Sequence, residues 1–204
     1  MKSERIPVKS FSADNGFIGK MQKLVREEVL PYQYNILNDA IPGIEKSHAI
    51  ENIRLAAEKL RGKDVKPDEF YGMVFQDSDV AKWIEAAAYA LAAGEDPELE
   101  KAVDETIQLY GASQHEDGYV DSYFTVKCPD KMWTNICDAH ELYCAGHMME
   151  AAVADYEVTG KRELLDIMSK SADCIYEQFM KKNTRAYPGH PEVELALMRL
   201  WRAT

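Results

Sequence analysis

"DAHELYCAGHMMEAAVADYEVTG", Asp138 to Gly160, is the stretch on which the fold reading turns. His140, Cys144 and His147 recur at intervals of four and three, which places them on one helical face, and Gly160 supplies a helix stop. That face suits a metal site, a sugar site or a core helix with incidental histidines. "HELYCAGH" shares only its first two letters with the HExxH zinc pattern, because Cys144 stands where the second histidine belongs. Cys144 lies among Leu142, Ala145 and Gly146, the usual setting of a buried, inert thiol. His147 opens the Met148–Met149 core stretch. The spacing therefore favours a core helix, with Cys144 and His147 structural and no metal site in this chain.

The same rhythm extends outward. Helical intervals of apolar residues run through "FIGKMQKLVREEVLPYQYNILNDAI" from Phe17, with a kink expected at Pro31. "SHAIENIRLAAEKLRG" has Ser47 as a cap candidate and Gly62 as a stop. "DSDVAKWIEAAAYALAAG" and "DPELEKAVDETIQLYGASQ" follow, then helices over 138–159 and 162–180, and a last one in "PGHPEVELALMRLWRAT". Pro191 in its first turn makes His190 the expected N-cap. Only "HEDGYVDSYFTVKCPDKMW" breaks the rhythm. Its Asp117-Gly118 pair and alternating "YVDSYFTV" predict a hairpin-like loop or short strand near 115–127.

Three helices share a polar entrance and an aliphatic body. Their entrances are "FQDSD" (75–79), "CDAHE" (137–141) and "YPGHPE" (187–192). The helices between them carry far more charge. Such alternation of buried and solvent-facing helices predicts an all-α stack of helical hairpins, with polar groups gathered at one end.

Composition sets the outer bounds. The chain has 204 residues, enough for one sizeable core, with 46% hydrophobic and 29% charged residues. Its 35 acids against 24 bases give a net charge of −11, which disfavours nucleic acid and anionic membrane surfaces. No apolar run reaches membrane-span length, and the start has no apolar leader segment. Cys128, Cys137, Cys144 and Cys174 form no dense framework, so reduced thiols and a cytoplasmic location are expected.

Candidate chemistry lies at the entrances. His140 and His190 sit where a helix N-terminus disfavours imidazolium, and a neutral ring offers sugar hydroxyls one donor and one acceptor. Simple capping is the competing role. Asp77 and Asp79 are equally good N-caps or ligand-facing carboxylates. Tyr119, with Tyr123 and Phe124, either lines a carbohydrate groove or packs in the core. Trp83, Trp133 and Trp201 read as packing residues. The sequence has no phosphate loop, nucleophile elbow or Cys-x-x-Cys pair.

Four stretches then converge: "FYGMVFQDSDVAKWIEAAAYAL", "QHEDGYVDSYF", "HELYCAGHMMEAAVADYEVTGKRELLDI" and "GHPEVELALMRLW". In this order and spacing they resemble glycoside hydrolase family 127, the β-L-arabinofuranosidase family, from "LPYQYNILND" to the last residue. The resemblance implies part of an (α/α)6 barrel with the inner helix starts around a pocket. It also implies retaining hydrolysis of terminal β-L-arabinofuranosyl residues by a zinc-bound cysteine nucleophile with a glutamate acid/base. A thiolate is intrinsically nucleophilic and coordination keeps it deprotonated, unlike the usual two-carboxylate scheme.

His140 in "HELY" and His190 in "GHPE" match family positions that hydrogen-bond the arabinose. Asp77, Asp79 and Tyr119 are expected near the pocket. None of the four cysteines matches the family's zinc ligands. Because "ALMRLWRAT" stops inside a running helical pattern, residues 1–204 read as the truncated N-terminal portion of one catalytic domain. The expected chain holds sugar contacts, no catalytic residue and no zinc, and self-associates through an open barrel edge. The alternatives are an inactive carbohydrate-binding or interaction module, or an α/α-barrel glycosidase of other sugar specificity.

Overall fold

The computed structural model describes residues 6–11, 13 and 16–204. The N-terminal run Met1–Gly16, read above for a leader, lies partly outside them. Among the described residues the chain is helical and has no strand. Helix α1 (Phe17–Leu24) passes through a π turn (Val25–Val29) into α2 (Leu30–Leu37). The expected break at Pro31 takes this form: proline has no N–H for the i−4 carbonyl, and a wider turn just before it absorbs the mismatch. Helix α3 (Ala49–Leu60) ends at Gly62, whose φ of +86° suits a residue without Cβ. Its N-cap is His48, not Ser47, and the Ser47 hydroxyl accepts from the Ala49 N–H at 3.3 Å.

Helices α4 (Asp77–Ala93), α7 (Glu141–Thr159) and α9 (Glu192–Ala203) stand side by side with their starts at one end. The charged α5 (Pro97–Ala112) and α8 (Glu163–Tyr176) return between them, α5 capped by Asp96 accepting from the Leu99 N–H at 3.1 Å. Helix α7 is the centre: fourteen of its nineteen residues are buried, so it carries no solvent face. Small residues let its neighbours approach. A Cβ on Gly146 would come within 2.9 Å of the Val193 backbone nitrogen, so the first turn of α9 rests directly on α7.

The three central helices differ in burial. Helix α9 buries only the stripe Val193, Ala196 and Leu200, and Leu195, Met198 and Trp201 on its other side are exposed. The apolar residues Phe17, Ile18, Met21, Leu24 and Val25 on the first helix are exposed as well. Midway along the stack, Arg199 of α9 pairs with Glu150 of α7 and lies 3.7 Å from Glu85 of α4. This half-buried pairing ties together three helices from different parts of the chain.

At 115–119 the chain reverses as expected: Gly118 takes φ +96°, and the His115 N–H donates to the Tyr119 carbonyl at 2.8 Å. The residues after the turn form helix α6 (Ser122–Val126), where the alternation had also allowed a strand. The Asp121 carboxylate caps it, accepting from the Phe124 N–H at 3.0 Å, while Asp77 accepts from both the N–H and the hydroxyl of Ser122. Side-chain capping wins here over the period-two pattern.

Candidate functional site

The site forms where the entrances of α4, α7 and α9 meet. His140 is the N-cap of α7 in a left-handed conformation (φ +62°), without a side-chain bond to the helix. Its ring turns back instead, with Nδ1 2.6 Å from the Asp138 carbonyl. A carbonyl only accepts, so Nδ1 carries the proton, and a neutral ring presents Nε2 as an acceptor. His190 sits one residue before the N-cap of α9, which is Pro191 and not the histidine itself. Its ring rests against those of His140 and Tyr143.

The two histidine rings lie 5.3 Å apart, centroid to centroid. A backbone contact brings them together: the Gly189 N–H donates to the Cys137 carbonyl at 3.1 Å. Phe75 approaches His140 at 5.3 Å from the α4 entrance. Tyr143, in the first turn of α7, touches His140, His147 and His190 at 5.6, 4.5 and 5.1 Å, centroid to centroid. Lys82 of α4 donates to the Tyr143 hydroxyl at 3.0 Å. Tyr143, Lys82 and Phe75 escaped the sequence reading as site residues, since an aromatic or a lysine near a helix start carries no signal of its own. His147, read as structural, borders the cluster and lies 3.4 Å from Glu192.

Electrostatics separate the candidates. Burial pushes the Asp79 carboxyl up, and Lys82 and His147 pull it partly back. Burial and the neighbouring Lys82 hold the His147 imidazole below its ordinary value. Asp79 and Lys82 also line a mainly apolar groove against α2 with Tyr32, Gln33, Ile36 and Trp83.

The remaining candidates occupy the interior. Asp77 is buried, spent on Ser122, and raised by that burial. Tyr119 is also buried, and its hydroxyl donates to Glu141 at 2.6 Å. Glu141 in addition accepts the Trp133 N–H at 3.0 Å, pinning the 131–133 turn under the α7 entrance. The structure thus brings His140 and His190 together, leaves Asp79 beside Lys82 at the groove against α2, and buries Asp77 and Tyr119. Cys144 is buried, and that burial drives its thiol well above the ordinary value. Among the described residues no three His, Cys, Asp or Glu side chains are placed to hold a metal ion, and no helix is long and apolar enough to cross a membrane.

Comparison with known proteins gives a consistent result. The profile described as β-L-arabinofuranosidase, GH127 catalytic domain, matches residues 12–204. The non-reducing end β-L-arabinofuranosidase of Bifidobacterium longum subsp. longum is 41% identical over 87% of this chain. The crystal structure of a GH127 β-L-arabinofuranosidase from Geobacillus stearothermophilus T6 superposes with a TM-score of 0.86 at 52% identity, over 94% of this chain. The GH127 β-arabinofuranosidase BT3674 gives a TM-score of 0.84 at 30% identity over 98% of it. The chain spans 29% of the Bifidobacterium protein, 29% of the Geobacillus chain and 31% of BT3674.

Proposed function

This chain belongs to the GH127 β-L-arabinofuranosidase catalytic-domain family, and from that premise we propose that it contributes the sugar-contact wall of a pocket for terminal β-L-arabinofuranosyl residues. Residues 1–204 then form the N-terminal portion of a single (α/α)6 catalytic domain. The observation that carries this reading is the meeting of His140 and His190, 5.3 Å apart at the shared helix entrance. Nε2 of His140 accepts a sugar hydroxyl, and Tyr143 and Phe75 offer ring faces and edges to its carbon skeleton. Asp79 flanks the sugar. Asp77 and Tyr119 hold the wall in shape.

In the whole domain we assign retaining hydrolysis, with a zinc-held cysteine as nucleophile and a glutamate as acid/base, both from outside residues 1–204. The donors in this chain do not fit zinc: Cys144 is buried and no three ligand side chains converge among the described residues. Four free cysteines suit a reducing, cytoplasmic setting.

Titration of this chain with methyl β-L-arabinofuranoside, followed by the histidine ring resonances, tests the reading. The His140 and His190 signals shift and those of His115 do not; an unresponsive His140–His190 pair refutes it. Residues 1–204 alone release no arabinose. Stoichiometric zinc together with turnover would return the chemistry to His140, Cys144 and His147.

The exposed apolar faces of α1 and α9 also support self-association of the isolated chain, because Trp201 and Phe17 are 72% and 77% exposed.

A further inference from the structure

We propose that Lys82 and Tyr143 act as one positioning unit that holds His140 and His190 at the separation where both reach a single furanose ring. The inference rests on the sugar reading above and concerns the Tyr143 hydroxyl and Lys82, which need not touch the sugar even where the Tyr143 ring does. Tyr143 is the ring common to the site. His140 meets it edge-on at 5.6 Å from the helix entrance, and His190 meets it at 5.1 Å from the segment before α9. His147, one turn further along α7, closes the third side at 4.5 Å. A half-buried tyrosine held only by such ring contacts is able to change rotamer, and each change would move the surfaces against which both histidines rest.

Lys82 removes that freedom. Its ammonium donates to the Tyr143 hydroxyl at 3.0 Å and to the Ser78 hydroxyl at 3.1 Å. Ser78 is fully buried in the first turn of α4, so the lysine is tied to the rigid part of its own helix. The ammonium also lies 5.0 Å from the Tyr143 ring centroid, where the charge favours the same rotamer. A path of defined contacts therefore runs from buried Ser78 through Lys82 and Tyr143 to both histidines. Charge-assisted bonds of this kind are worth more than neutral ones and lose most when one partner is removed. Two residues acting through one bond also predict non-additive losses.

The test compares the wild-type chain with Tyr143→Phe, Lys82→Met, the double variant and Lys82→Arg. Two readouts are used: the nuclear Overhauser contact between the His140 and His190 rings without ligand, and affinity for methyl β-L-arabinofuranoside. Each single variant is expected to weaken the ring–ring contact and lower affinity about tenfold, the scale of one charge-assisted bond. The double variant loses no more than either single one, and Lys82→Arg restores part of both signals, with melting temperatures unchanged. An intact ring–ring contact in Tyr143→Phe and Lys82→Met, or additive losses in the double variant, overturns the proposal. If the wild-type rings ignore the sugar while their mutual contact still depends on the pair, the sugar reading fails and the positioning role stands.

Discussion

The Gly189 N–H donates to the Cys137 carbonyl at 3.1 Å, and through this bond the segment carrying His190 docks on the segment leading into His140. The two residues are 52 positions apart in sequence. The contact is close enough that a Cβ on Gly189 would stand 2.3 Å from the same carbonyl oxygen. Here a glycine is required by the approach of two backbones and not by its own torsion angles.

Gly189→Ala is therefore expected to separate His190 from His140 with little effect on the helical core. Affinity for an arabinofuranoside falls at least tenfold, while the melting temperature drops by only a few degrees, as for the loss of about 1 kcal/mol. Parallel calorimetric titration and thermal melting check both halves.

Gly146→Ala behaves differently, because the added methyl meets Glu192 and the Val193 backbone where α9 packs on α7. Overpacking at a helix crossing costs about 1–3 kcal/mol. Denaturant unfolding of this variant should show a clear loss of stability together with weakened sugar binding. Equal stability to wild type would mean that α9 is not seated as described.

His140→Gly separates the ring from the backbone. The left-handed φ of +62° costs a non-glycine residue about 1 kcal/mol, and glycine relieves it at an N-cap position that also tolerates glycine. Stability is retained or rises slightly while sugar binding is lost. A large fall in melting temperature would make His140 a structural cap and nothing more.

Asp155 gives a pH signature unrelated to the site. Burial raises its carboxyl to about 6, despite the nearby Lys161. The folded state thus holds this proton more tightly than the unfolded chain. Its contribution is full below the ordinary carboxylate value and is lost as pH rises to about 6, a change of roughly 3 kcal/mol. Asp155→Asn should flatten that part of the stability–pH profile, measured by denaturant unfolding at pH 4, 5, 6 and 7.

The exposed faces allow a test of assembly. Leu195→Lys with Trp201→Glu places charge on the unburied side of α9. Light scattering is expected to show the wild-type chain self-associating and the double variant shifting towards monomer. A monodisperse wild-type monomer would remove self-association from the proposed properties.

Much of this was legible in the sequence. Helical periodicity and Gly62 and Gly160 as stops are local signals, set by backbone torsions and nearby hydrogen bonds. They established an all-α chain of alternating buried and charged helices with polar entrances at one end. Local signals misled where a distant group intervened. The alternation at 119–126 is overridden by Asp77, which takes the Ser122 N–H from another helix, and His190 lies just outside the helix it was expected to cap. The sequence likewise could not rank Asp77 against Asp79. They are two residues apart, yet Asp77 is buried on Ser122 while Asp79 lines the groove with Lys82. Nor does any local pattern reveal that Lys82 reaches Tyr143, or that Gly189 docks on Cys137. Periodicity determines which face of a helix is apolar; which side chains meet across helices depends on the register of α4, α7 and α9, and that register exists only once they pack.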